Sequence, residues 1–145
     1  MEEVAKFLCV LFGGGFGALV RFGVAEIFRT TTRLPGWVAI LVVNVVGCLL
    51  IGIGFATLAE HMHEIRVHPP APAALALEKL SIELALALGL TGFCGGFTTF
   101  STYSFDSVIL WQQGRRGQAA VNLFVTAALG ALAVVAGLAL VRGWR

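Results

Sequence analysis

The sequence predicts an all-α integral membrane protein of four transmembrane helices, the third broken at its centre. Three observations carry that expectation. Only 12% of the 145 residues are charged and 58% are hydrophobic, whereas a typical soluble domain is roughly a quarter charged. The charges fall between long uncharged runs. Trp37 to Leu58, Leu84 to Phe105 and Ala119 to Val141 hold no Asp, Glu, Lys or Arg over 22 or 23 residues each, and a bilayer-spanning helix needs about 20. Inside the third run, Thr91 to Ser104 reads TGFCGGFTTFSTYS, with three glycines and six Ser or Thr residues. Irregular backbone at membrane depth survives only where protein or a water-filled cavity satisfies it. This stretch is therefore expected to line a site.

The spans are placed at about 4–28, 37–58, 80–108 and 119–141, in a single membrane domain over 1–145, with a long loop at 59–79. The first is interrupted by Lys6, Arg21 and Glu26. A cleaved signal peptide would begin with basic residues and carry a short apolar core. Here Glu2 and Glu3 come first and the apolar run continues to Val20, so it is read as a retained span. Gly13 and Gly17 have the GxxxG spacing that lets a neighbouring backbone approach closely. Arg21 near the end of that span either snorkels to the interface or meets a polar end of a partner subunit.

Trp37 opens the second span, where an indole suits the interface. Asn44 is its one strongly polar side chain. A buried amide in hydrocarbon needs a partner, and both interhelical glue and a functional role stay open. The loop EHMHEIRVHPPAPAALALEK holds His61, His63 and His68 and three of the four prolines. It reads as a semi-rigid connector with solvated histidines. Asn122, Thr126 and Gly130 share one face of the fourth span, either as glue or as a stripe for a permeating species. Cys9, Cys48 and Cys94 show no disulfide or zinc spacing. The net charge of +2 comes without a basic patch, so nucleic acid is not an expected partner.

Four spans put both termini and the 59–79 loop on one side. Lys6, Arg66, Lys79, Arg142 and Arg145 lie on that side, and Arg29, Arg33, Arg115 and Arg116, with or without Arg21, on the other. Orientation is set by an excess of Lys and Arg on one side, and this chain has almost none. Dual topology follows as an expectation, and with it an antiparallel homodimer in the lipid bilayer. The glycine break at Gly95 and Gly96 then falls near the two-fold axis. Carbonyls of unwound membrane helices coordinate small cations, so a monovalent cation at the dimer centre is a structural hypothesis. No span holds a general base, a metal-ligand cluster or a nucleophile–histidine pair, so the chain is not expected to be an enzyme. A proton-coupled exporter needs a carboxylate inside the membrane. Hydroxyls, amides and aromatic edges suit a small, hard anion instead.

GGGFGALVRF in the first span, LVVNVVGCLLIG in the second and GFCGGFTTFSTYS in the third resemble the three signature segments of the Fluc (CrcB) family of fluoride channels. The resemblance covers essentially the whole chain. It implies an antiparallel dual-topology homodimer with two fluoride pores and one central structural sodium ion, held by the main-chain carbonyls of Gly95 and Thr98. It also implies that Asn44 and Phe100 are pore residues, with Thr99, Ser101 and Thr102 as hydroxyl donors. Tyr103 stands where the family usually has the second phenylalanine of its aromatic box, and its hydroxyl adds a donor. Asn122 and Thr126 stand where many members have a tyrosine and a serine. The implied role is passive efflux of fluoride through the cell inner (plasma) membrane. The alternative is a dual-topology exporter or structural membrane protein for another small solute.

Overall fold

The computed structural model describes residues 1–143, so Arg145 of the charge count lies outside them. The elements are α1 (Glu2–Thr31), α2 (Gly36–Val67), α3 (Pro72–Ala85), a π-helical segment (Leu86–Cys94), α4 (Gly95–Phe97), α5 (Phe100–Gln112) and α6 (Arg116–Arg142). Four helical stretches among the described residues are long and apolar enough to cross a membrane, the third being the composite Pro72–Gln112.

Two close crossings organise the packing. α1 lies chiefly against the π-helical segment, and α2 against α6. A Cβ at Gly13 would collide with the Leu88 carbonyl oxygen, and one at Gly17 with the Phe93 carbonyl oxygen. The GxxxG pair thus admits the chain's own third span. In the second crossing, a Cβ at Gly137 would lie 2.5 Å from the Leu49 carbonyl oxygen. Apolar burial supplies little drive between helices in lipid, so close backbone contact has to supply association.

The long loop expected at 59–79 is mostly helix. α2 continues to Val67 and α3 begins at Pro72, which leaves only His68–Ala71 as the connection. Residues 59–67 (AEHMHEIRV) contain no Pro or Gly, so nothing stops the helix before Pro69. Pro72 occupies the first turn of α3, where its fixed φ suits a helix start. The 32 residues of α2 rise about 48 Å, well past a hydrocarbon core of about 30 Å. The extension is tied by His61 Nε2 to Glu78 Oε1 at 3.1 Å, and Lys6 bridges Glu2 and Glu83.

The break is also displaced. Gly95 has helical dihedrals (φ −64°, ψ −38°). The chain leaves helical conformation at Thr98 (φ −75°, ψ 155°) and Thr99 (φ −148°, ψ 117°). Gly96 serves close approach instead, since a Cβ there would strike the Gly14 carbonyl oxygen.

Candidate functional site

The break is held open by side chains that replace its missing helical bonds. Thr99 N–H donates to Asn44 Oδ1 at 2.9 Å, and Asn44 Nδ2 donates to the Thr99 carbonyl at 3.2 Å. One amide on α2 therefore satisfies both backbone groups of an extended residue 55 positions away. Thr99 also caps α5, its Oγ1 accepting from Thr102 N–H at 3.2 Å, as an N-cap threonine does.

These bonds have a consequence at two carbonyls. In an uninterrupted helix Thr99 N–H would donate to Gly95 and Thr102 N–H to Thr98. Both donors are turned elsewhere, so the Gly95 and Thr98 carbonyls lose their usual helical partners. Between them, the Gly96 carbonyl accepts from Arg21 Nε at 3.3 Å. Arg21 thus reaches inward to the break of its own chain. Gly95 is exposed, and a Cβ there would meet nothing within 4 Å.

On the other side of the break lies a groove of about 330 Å³ between α2, α5 and α6. Asn44, Thr98, Thr99, Phe100, Tyr103, Thr126 and Gly130 line it. Asn44 uses one amide hydrogen on Thr99 and has a second. The rings of Phe100 and Tyr103 stand 5.7 Å apart at 50°. Phe100 is 79% exposed, so its ring extends beyond what this chain covers.

The other residues singled out from the sequence sit differently. Ser101 and Thr102 do not line the groove; they join a hydroxyl cluster around Thr99 Oγ1 at 3.2 and 3.1 Å. Tyr103 donates its hydroxyl to the Leu123 carbonyl on α6 at 2.8 Å. It therefore offers the groove a ring, with the hydroxyl engaged elsewhere. Asn122 is almost fully buried and off the groove. Its Nδ2 donates to Ser107 Oγ at 2.9 Å and to the Tyr103 carbonyl at 3.3 Å, and its Oδ1 accepts from Thr126 Oγ1 at 3.2 Å. Asn122 joins α5 to α6, and Thr126 both supports it and faces the groove. Cys48, Ile51, Ala127 and Ala131 complete the wall. Cys48 follows Asn44 by one helical turn, which is the signal that could have found it.

A family model described as CrcB-like protein, Camphor Resistance (CrcB), matches residues 8–138. The chain belongs to the CrcB-like family. Among its relatives, a protein of Rhizobium johnstonii named fluoride-specific ion channel FluC is 36% identical over 139 residues, covering 93% of this chain and 94% of the relative. A FluC channel of Aeromonas salmonicida is 35% identical over 135 residues, at 93% and 94% coverage. One of Acidobacterium capsulatum is 36% identical over 135 residues, at 92% and 93%. These relatives are named as channels rather than enzymes. In this CrcB-like chain the match takes in the second and third membrane-length stretches whole and most of the first and fourth, with the clamp on Thr99 and the groove beside it.

Proposed function

We propose that this protein is a fluoride channel that lets the anion leave the cytoplasm passively across the plasma membrane. The observation that carries the reading is the groove beside the break, in which an α2 amide, the Thr98 and Thr99 segment, two aromatic rings and Thr126 converge. α5 begins there, and a helix N-terminus presents orphan N–H groups and partial positive charge to an anion. Aromatic edges are electropositive, so the Phe100 and Tyr103 rings can face a desolvated fluoride edge-on. The family relationship supplies the identity of the anion, since its relatives are named for fluoride.

The working unit is an antiparallel homodimer of dual topology. The near-balance of Lys and Arg between the two ends supports it, as does a Phe100 ring left open to a second copy. The freed carbonyls of Gly95 and Thr98 fit a sodium ion at the dimer centre. They are hard oxygen donors lacking their helical N–H partners, and Gly95 leaves space for close approach. Sodium there would neutralise facing carbonyl dipoles and so hold the two copies together.

Proteoliposomes loaded with fluoride and monitored by a fluoride electrode test the reading. Wild-type protein is expected to release fluoride, with chloride retained. Phe100→Ile is expected to slow release by up to about tenfold, taking the ring–anion contact at the upper end of an aromatic contact, about 1.4 kcal/mol, while the dimer persists in size-exclusion chromatography. No fluoride release from the wild type refutes the channel.

A further inference from the structure

The end of the molecule opposite the termini carries a second cavity, of about 340 Å³, lined by Arg33, Trp37, Asp106, Gln113 and Arg115 among others. It shares no lining residue with the groove. It lies farther along the same seam, because Trp37 precedes Asn44 by seven residues on α2 and Asp106 follows Tyr103 by three on α5.

Its polar groups are poorly matched by the protein. Trp37 Nε1 is buried and has no acceptor among the described residues, although an indole N–H is a donor that needs one. Asp106 is half-buried, and neither it nor Arg33 has a hydrogen-bond or ion-pair partner among the described residues. Among the described residues, the Arg115 guanidinium hydrogen-bonds only the neutral Gln113 and Gln118 side chains. One carboxylate and two guanidiniums thus line one cavity without pairing.

We propose that this cavity seats the headgroup of a zwitterionic phospholipid bearing a primary ammonium group. The phosphate lies with Arg33, Arg115 and the Trp37 N–H, and the ammonium lies at Asp106. Separated opposite charges in one cavity match a ligand that carries both. A simple anion leaves the Asp106 carboxylate uncompensated, and a simple cation leaves the guanidiniums so. A quaternary ammonium has no N–H to donate to Asp106. The position suits a lipid as well: Trp37 opens its span at the level where indoles meet the membrane interface. Pro35, Ile109 and Leu110 line the same cavity and give it an apolar wall. The proposal requires only membrane embedding and stands apart from the channel reading.

Native mass spectrometry of the purified full-length protein tests it, with phosphatidylethanolamine, phosphatidylcholine or phosphatidylglycerol added to the micelle. Phosphatidylethanolamine is expected to be retained roughly tenfold better than phosphatidylcholine, as one charge-assisted hydrogen bond allows. Asp106→Asn should erase that preference, and Arg115→Gln should weaken retention of both lipids. Trp37→Phe, which keeps the ring and removes the N–H, should weaken both in the same way even if another variant fails to fold. Equal retention of the two lipids by the wild type overturns the proposal, as does strongest retention of phosphatidylglycerol. So does displacement of bound lipid by millimolar inorganic phosphate or fluoride, which marks a small-anion pocket instead.

Discussion

Replacing Tyr103 by phenylalanine separates the two parts of that side chain. The hydroxyl donates to the Leu123 carbonyl at 2.8 Å, while the ring lines the groove 5.7 Å from Phe100. Leu123 lies inside α6, so its carbonyl keeps the helical bond from residue 127 and is not orphaned when the hydroxyl goes. The loss is then the net worth of one neutral hydrogen bond, about 1 kcal/mol. If that bond holds the ring in its groove-facing position, the population of that position relative to others falls by roughly fivefold. Fluoride efflux from liposomes should therefore drop by no more than about fivefold in Tyr103→Phe. In Tyr103→Ile, which removes the ring edge as well, it should drop further. Equal and near-complete loss in both variants would refute the reasoning, because it would put the hydroxyl itself in the anion path. Wild-type rates in both would remove the ring from that path.

Two further substitutions test the packing. Gly17→Ala drives a Cβ into the Phe93 carbonyl and to 2.8 Å from the Phe97 amide nitrogen; neither backbone can yield freely. Thermal unfolding in detergent should show a loss of about 1–3 kcal/mol, the usual cost of overpacking, and an unchanged melting curve would contradict the α1 crossing. Asn122→Ala leaves Ser107 and Thr126 without their buried partner, which should cost about 1–3 kcal/mol of stability. Efflux per folded channel should stay near wild type, since Asn122 does not line the groove; a selective loss of flux at unchanged stability would place it in the path.

The spans were legible because hydrocarbon excludes charge, and the uncharged runs coincide with membrane-length helices. Asn44 stood out for the same reason: a lone amide in an apolar run must have a partner. The identity of that partner could not be read. Thr99 backbone groups are invisible as donors and acceptors until the chain is known to leave the helix there. The position of the break is not legible from glycine, although glycine is the residue expected to weaken a helix. Gly95 stays helical and Gly96 serves close approach to Gly14, while two β-branched threonines take the extended conformation they tolerate well. The 59–79 stretch looks like a loop because the prolines of 69–72 dominate its composition, although Ala59 to Val67 has no reason to stop being helix. Tyr103 was legible as a ring, but the carbonyl that takes up its hydroxyl belongs to a different span.

The position of the break at Thr98 and Thr99 lets one interruption present two opposite polarities. A helix that ends exposes carbonyls and carries partial negative charge, and a helix that begins exposes N–H groups and carries partial positive charge. The composite third span does both within a few residues. Its first half ends with the Gly95 and Thr98 carbonyls deprived of their helical donors. Its second half starts at Phe100 against the groove. Asn44 makes the arrangement tolerable, because a free N–H and a free carbonyl at Thr99 would each cost about 1–3 kcal/mol if buried unpaired. Arg21 adds a positive charge at the Gly96 carbonyl, between the two freed ones, which offsets part of the clustered negative dipole. In the proposed reading, a cation on one side and an anion on the other require no charged side chain inside the groove itself, and none lines it among the described residues. That fits a conduction path, where a fixed charge would bind the ion too tightly to release it.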